Sequence, residues 1–512
     1  MKLRLSARIR HEKKRLLMAL LGLITAVEFL ENLMFVFAAS HIVGGIDAAP
    51  REFAQVQAAY AIGSMLMIVK QQWLAKRFGY RRYLSGALAL FVVGALASAA
   101  SHNLIELTGA RFMQGVGGGA LFTSSRILIN VMFPSAERPR ALKYFMVMIF
   151  GASAVAPALA ASLVETHGWE WVFYGAVPPA MLALAGCWFL LPETERDSSP
   201  VKYDAWPLML FAVAIVSLQL MLSQTRYDFF AHSGRLVLLA LLGSALLAGF
   251  LWQQYRHPDP LLHVRELHSS VYLTGLGLYF LHYFLSNFSS YLFPVYAEQA
   301  LGMPLVTVGW LNTFAGVIGL GVAYGYVKFG RCFPNKKPLM LVGALAMALT
   351  AWLFARMPPD ATPAALMPAL LTKGFFSVLL VMPVAGLTFR ELGDERFAHG
   401  YQGKNLMRQI AGSISTAIAA VLMQNRQFAV RQEISARLTP DHLQVASWLD
   451  TMQHALAARG FAQEQAHAGA LAELARVVER QAQLIACEDL YLFLAAAALV
   501  TAMVVGVQRK LL

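Results

Sequence analysis

The chain has 512 residues, of which 58% are hydrophobic and only 14% charged. A soluble globular domain carries about 25% charged and 45–50% apolar residues, so the composition excludes an ordinary water-soluble domain and implies a membrane protein. The net charge of +13 does not mark a nucleic-acid surface either, because Lys and Arg are dealt out between apolar runs rather than gathered in one patch.

The N-terminal stretch Lys2–Arg15 is strongly basic and runs into an apolar segment, Leu16–Ser40. With Ala38-Ala39-Ser40 as a mock cleavage site it imitates a signal peptide, but the run is too long for that and contains two acids. It reads as an uncleaved first span. Those acids, Glu28 and Glu31, lie three residues apart and share one helix face. At about 1.5 Å rise per residue Glu28 falls near the bilayer midplane. A charge there costs at least ~2.5 kcal/mol on insertion scales, so the pair suggests a proton or cation site. The plainer alternative is two neutral acids bonded to a neighbouring helix.

Apolar runs of about 20 residues, the length of a spanning helix, recur along the chain. They lie near 16–40, 55–75, 83–101, 104–131, 141–164, 170–191, 204–222, 236–254, 271–293, 304–328, 338–356, 364–388, 400–423 and 488–507, about fourteen in all. Lipid leaves backbone groups no outside partner, so the runs must be helices, too long for barrel strands. The connecting loops alternate in charge. One set holds Lys76-Arg77 with Arg81-Arg82, Arg138 with Arg140, Arg196 with Lys202, Arg256 with Arg265, Lys328–Lys337, Arg390 with Arg396, and Arg509-Lys510. The positive-inside rule puts that set, and both termini, in the cytoplasm. The expected organisation is a basic N-terminus (1–15), a six-helix bundle (16–195), two inserted helices (196–265) and a second six-helix bundle (266–512) with a long outer loop at 425–488. That loop repeats apolar residues at helical spacing, as at Val445, Trp448, Leu449, Met452 and Leu456, and is expected to be amphipathic helix.

The halves echo one another. Leu74–Arg81 and Tyr326–Arg331 carry similar Lys/Arg-Phe-Gly loops, and aligning them matches Glu28 in depth with His282 and Arg111 with Lys373. Repeated halves with a site between them are a transporter pattern. Arg111 lies deep in the fourth span and needs a counter-ion, for which Glu31 or Glu28 is the natural partner. Such a pair can alternate between an ion pair and a protonated acid, or it can be static and fix packing only. Gly115 and Gly119 form a GxxxG helix contact. Pro157 sits among small residues that permit close packing. Lys70 and Arg126 are read as snorkelling to the membrane surface, and Arg408 stays ambiguous. Cys187, Cys332 and Cys487 form no disulfide framework or zinc spacing. His442, His454 and His467 read as solvated surface, so no metal and no cofactor is expected. No Walker sequence, HExxH or nucleophile constellation is present, which argues against an enzyme and for an ion gradient as energy source.

Taken in order, these residues resemble the major facilitator superfamily, and within it the fourteen-helix drug:proton antiporter branch. Glu28-Phe-Leu-Glu31 resembles that branch's first-helix motif. Trp73-Leu-Ala-Lys-Arg77-Phe-Gly79-Tyr-Arg-Arg82 resembles the superfamily loop motif, although Lys76 stands where an acid is usual and Gln72 where a Gly is. Arg111 with Gln114-Gly115 resembles the fourth-helix motif, and Pro157 the antiporter proline. Pro258-Asp-Pro260 and Arg408-Gln409-Ile-Ala-Gly412-Ser413 look like later landmarks. The Glu-x-x-Glu is also similar to proton-coupled peptide transporters, but the Arg and Tyr that follow there are absent. The resemblance implies an alternating-access, proton-coupled exporter of small organic molecules in a bacterial inner membrane. Glu28 and Glu31 would exchange protons with Arg111 tuning them. Asn32, Gln114, His282, Asn287 and Lys373 would contact substrate, and Gly79, Arg82 and Pro157 would serve gating. Similar exporters work with a periplasmic adaptor and an outer-membrane channel. Export of a siderophore or metabolite, nutrient symport, and a non-transporting scaffold or receptor are the alternatives.

Overall fold

The computed structural model describes residues 2–48, 50–193, 205–228, 233–258, 260–438 and 443–511. The expected inner-loop cations Arg196 and Lys202, the central Asp259 of the Pro-Asp-Pro landmark, and His442 lie outside them. Among the described residues the chain is all α-helical, with short 3₁₀ and π turns and no strand. In the first half, α1 (Lys2–Phe37), α2 (Ala39–Gly45), α3 (Pro50–Phe78), α4 (Tyr80–Ala99), α5 (Leu104–Met132) and α6 (Arg138–His167) are followed by α7 (Trp171–Tyr174) and α8 (Val177–Leu190). A hairpin of α9 (Trp206–Asp228) and α10 (Ser233–Arg256) comes next. The second half comprises α11 (Ser270–Pro294), α12 (Leu305–Phe329), α13 (Lys337–Phe354), α14 (Pro363–Leu379), α15 (Val381–Leu387), α16 (Asp394–Arg437), α17 (Leu443–Ala458) and α18 (Gln463–Val507).

Eleven helical segments among the described residues are long and apolar enough to cross a membrane, with α7–α8 and α14–α15 each acting as one segment. Three more, α3, α5 and α11, are 29, 29 and 25 residues long. Their apolar runs are interrupted by buried polar groups: Ser64 and Lys70 in α3, Arg111 and Gln114 in α5, His282 and Ser289 in α11.

Close backbone approach explains the glycines. A Cβ on Gly115 would lie 2.2 Å from the Tyr60 carbonyl oxygen, and one on Gly119 2.4 Å from that of Ser64, so the GxxxG of α5 packs directly on α3. The start of α5 is fixed by a reciprocal cap: the Glu106 amide donates to Asn103 Oδ1 at 2.9 Å, and the His102 amide donates back to Glu106 Oε2 at 2.9 Å.

The halves meet along two seams. On one, α6 crosses α12 at small residues. A Cβ on Gly316 would lie 2.5 Å from Ala154 Cα, and one on Gly309 2.7 Å from Ala161 Cβ and 2.9 Å from the Pro157 carbonyl oxygen. The Ala158 amide donates to Thr313 Oγ1 at 3.2 Å. On the other, α16 reaches α3: Gln402 Nε2 donates to the Ile68 and Val69 carbonyls at 2.6 and 2.8 Å, and Gln409 to Ser64 Oγ at 2.7 Å. The hairpin lies over this second seam, where Phe211, Ile215 and Phe250 pack with Met65, Ile68 and Leu406.

The expected outer loop is helical, with a difference. α16 and α18 do not stop where their apolar runs stop; each continues as one uninterrupted rod, 44 and 45 residues long, with α17 between them. Arg426 on α16 joins Asp489 on α18 at 2.5 Å. Arg480 on α18 donates to the Ala300 and Leu301 carbonyls at 2.9 and 2.6 Å, satisfying free carbonyls at the turn after α11.

Candidate functional site

A cavity of about 960 Å³ lies between the halves, lined by residues of α1, α3, α5, α6, α9, α11, α12 and α14–α16. Its exposed lining residues, among them Pro139, Lys143, Val327 and Arg390, all sit at the helix ends that carry the basic loops. The cavity therefore opens on that side. It is sealed on the other by the α6–α12 crossing, and beyond this by His41 of α2, whose Nε2 lies 3.6 Å from Glu298 Oε1 in the turn after α11. Burial holds the Glu298 carboxyl above its ordinary range, and His41 pulls against this more weakly.

Both acids of α1 are buried, Glu28 at 1% exposure and Glu31 at 0%, and each has its own arginine. Glu31 accepts from Arg111 of α5. The same guanidinium donates to Gln114 Oε1 at 2.6 Å and lies over the rings of Phe35 and Tyr60, 3.8 and 4.3 Å from their centroids. Glu28 accepts from Arg408 Nη2 of α16 at 2.5 Å. The sequence expectation put Arg111 opposite either acid; the structure assigns it to Glu31 and adds a second arginine from the other half. Burying charges this deep is costly, and pairing offsets part of that cost. The pairing is incomplete: Glu28 Oε2, Glu31 Oε2, Arg111 Nε and Nη2 and Arg408 Nε are buried without a hydrogen-bond partner. Neither acid lines the cavity; Arg408 does.

The expected substrate contacts divide. Asn32, His282, Asn287 and Lys373 all line the cavity. The His282 ring packs on Phe376 at 5.0 Å, Asn287 donates to the Tyr283 carbonyl at 2.7 Å, and Lys373 donates to Asn312 Oδ1 at 3.0 Å. Gln114 does not reach the cavity in this conformation: it is fully buried and turned toward Arg111, its neighbour one helical turn earlier. Of the expected gating residues, Pro157 lines the cavity at the α6–α12 seam. Gly79 makes the turn into α4 at φ 76°, a backbone region that disfavours side chains. Arg82 is exposed, and its neighbour Arg81 makes the contacts instead, 3.6 Å from Glu193 and over the Trp188 ring.

Several buried or cavity-lining cations went unassigned in the sequence. Arg126, read as snorkelling, lies on the wall, donating to Asn130 Oδ1 at 2.7 Å and stacked over Phe397. Lys70, read the same way, is buried beneath the Trp73 ring rather than reaching a surface. Arg408 and Lys404 form a lining stripe with Gly412 and Thr416 on one face of α16. Two cations four residues apart in an apolar run were the available signal for that stripe.

The sequence profile of the Major Facilitator Superfamily matches residues 21–416. The chain belongs to the Major Facilitator Superfamily. Among its curated relatives in the superfamily, it is 24% identical to the uncharacterized MFS-type transporter YhcA of Bacillus subtilis, the alignment covering 80% of this chain and 76% of the relative. It is 23% identical to the probable multidrug resistance protein EmrY of Escherichia coli, covering 82% of each. It is 24% identical to the multidrug export protein EmrB of Haemophilus influenzae, covering 83% of each. Among solved structures, a POT family transporter in complex with a thioalcohol-conjugated peptide superposes at a TM-score of 0.62 with 13% identity, covering 95% of each chain. The human organic anion transporter MFSD10 superposes at 0.58 with 14% identity, covering 96% of this chain and 99% of that one. Identities this low establish the shared superfamily fold. Function has to be argued from the cavity and its charges.

Proposed function

We propose that this superfamily member is a proton-coupled exporter of small organic molecules, working by alternating access in a bacterial inner membrane; the export half of that reading is supported by relatives named for multidrug export and resistance. The basic-loop side is the cytoplasm by the positive-inside rule; with α3, α5 and α11 counted as spans, the described residues supply fourteen crossings, an even number that puts both ends inside. The open cavity then faces the cytoplasm, where an exporter loads.

The observation that carries this reading is the pair of buried carboxylates on α1, one locked to Arg111 within its own half and the other to Arg408 of the opposite half. Protonating either acid abolishes its ion pair. For Glu28 that also removes a bond between the halves, so a proton has a direct handle on the movement that alternating access requires. Glu28 and Glu31 are the proton-exchanging groups, with Arg111 and Arg408 as their counter-ions. The paired α16–α18 extension, on the periplasmic side in this orientation, is the surface that a periplasmic adaptor would engage.

The test is pH measurement in sealed proteoliposomes during substrate movement. Proton flux opposite to substrate flux, lost in Glu31→Gln, is the expected result. Proton movement in the same direction as substrate, or unchanged coupling in both Glu28→Gln and Glu31→Gln, overturns it.

A further inference from the structure

The cavity wall is one-signed. Arg126, Lys373, Lys404 and Arg408 lie along its depth, Arg138, Lys143 and Arg390 stand at its mouth, and no aspartate or glutamate lines it among the described residues. Glu28, directly behind the wall, is committed to Arg408. Of the deep cations Arg408 alone meets a carboxylate among the described residues, and Lys404 sits one turn before it on the same face. Lys404 is 3% exposed, its ammonium reaches Asn405 Oδ1 at 3.3 Å, and no carboxylate lies within ion-pair distance of it among the described residues. Four aromatic rings surround it instead, with centroids at 4.3 Å (Phe122), 4.9 Å (Tyr401), 5.0 Å (Tyr279) and 5.4 Å (Tyr283). Arg408 follows one turn later on the same face, over Phe29 and Phe122.

A low-dielectric cleft lined by one sign of charge concentrates ligands of the other sign. A buried charge without a counter-ion calls for one. Rings that already surround the lysine offer stacking surface to a flat apolar body entering beside it. We propose that the cargo is an amphipathic organic anion, an aromatic carboxylate or sulfonate, whose charged end is received at Lys404 beside Arg408 and whose body lies against Phe122, Tyr279, Tyr283 and Tyr401. This names the substrate class of the exporter proposed above and rests on that reading. The cationic mouth serves as entry funnel, and Arg126, stacked on Phe397 and near Tyr401, is the intermediate station.

Three probes of one shape and different charge test it: 1-naphthoate, 1-naphthamide and 1-naphthylmethylammonium, titrated against the purified full-length protein in lipid nanodiscs by thermal shift. Naphthoate is expected to bind at least about tenfold more tightly than the amide, equivalent to about 1.4 kcal/mol, with the ammonium weakest. Lys404→Met is expected to remove the preference for naphthoate over the amide, and Lys404→Arg to keep it. Tightest binding by the ammonium, equal binding of the three, no binding of naphthoate, or a preference unchanged in Lys404→Met overturns the proposal. The wild-type series alone decides the matter if the methionine variant fails to fold. Transport separates the two readings. Naphthoate carried without proton movement leaves the cargo class standing and removes proton coupling, whereas proton-coupled transport of the ammonium alone does the reverse.

Discussion

Glu28 and Arg408 stand 380 residues apart in the chain and 2.5 Å apart in space. Breaking a buried pair by removing one partner strands the other charge and costs about 3–5 kcal/mol, whereas removing both costs much less. Arg408→Gln is therefore expected to lower the thermal midpoint more than the Glu28→Gln/Arg408→Gln double variant does, while both lose proton-coupled transport. A double-mutant cycle on thermal stability measures the difference; additive effects would show that the pair does not bind the halves together.

Arg111 works through a planar guanidinium that reaches Glu31 and Gln114 at once while lying between Phe35 and Tyr60. An ammonium keeps the charge but loses the guanidinium's reach and the planar face it lays on the two rings. Arg111→Lys should cut transport by about tenfold or more, about 1.4 kcal/mol in barrier, with near-normal insertion. Initial rates in proteoliposomes against the amount of reconstituted protein provide the check.

The α6–α12 seam has no room for a side chain at Gly309. Overpacking costs about 1–3 kcal/mol, borne by the sealed conformer alone. Gly309→Leu should therefore populate states open on that side. In a background with the three native cysteines replaced, a cysteine at position 162 should react faster with a membrane-impermeant maleimide in the Gly309→Leu variant than without it.

The same seal is expected to depend on pH through Glu298. Burial raises its carboxyl, so the sealed conformer favours the protonated form. Its contribution is complete below the ordinary carboxylate value of 4.5 and declines as pH rises through the raised one. Distance measurements across the sealed side, taken as pH is raised, should show growing opening in the wild type. Glu298→Gln should remove that dependence.

Arg480 is the clasp between the outer helices and the end of α11. Losing its two bonds to the Ala300 and Leu301 carbonyls, made by a charged donor, costs about 1.5–3 kcal/mol. Arg480→Ala should accelerate amide hydrogen exchange over 295–303 while leaving α4 unchanged.

The helical membrane class, the two acids of α1 and the need of Arg111 for a carboxylate were all legible, because each follows from the cost of polar groups in lipid. The identity of each partner was not. Arg408 meets Glu28 only because α16 packs against the first half, a relationship that no local periodicity carries. Gln114 looked like a cavity residue from its motif, yet it shares a helix face with Arg111 and turns to it. The outer helices were visible as apolar periodicity, but their continuity with the spans was hidden. A hydropathy pattern ends where lipid ends, whereas backbone hydrogen bonding runs on. Lys404 stayed unassigned because its surroundings are rings drawn from α5, α11 and α16, which no local spacing brings together.

The hairpin of α9 and α10 touches both halves at once. Phe211 and Ile215 share a core with Met65 and Leu406, Gln219 donates to Ser413 at 2.8 Å, and Leu222 and Ser223 reach the cavity itself. It acts as a gasket over the joint between α3 and α16. In the alternating-access cycle proposed above, one of its faces would slide while the other holds, and the hairpin would keep acyl chains from creeping sideways into the cavity.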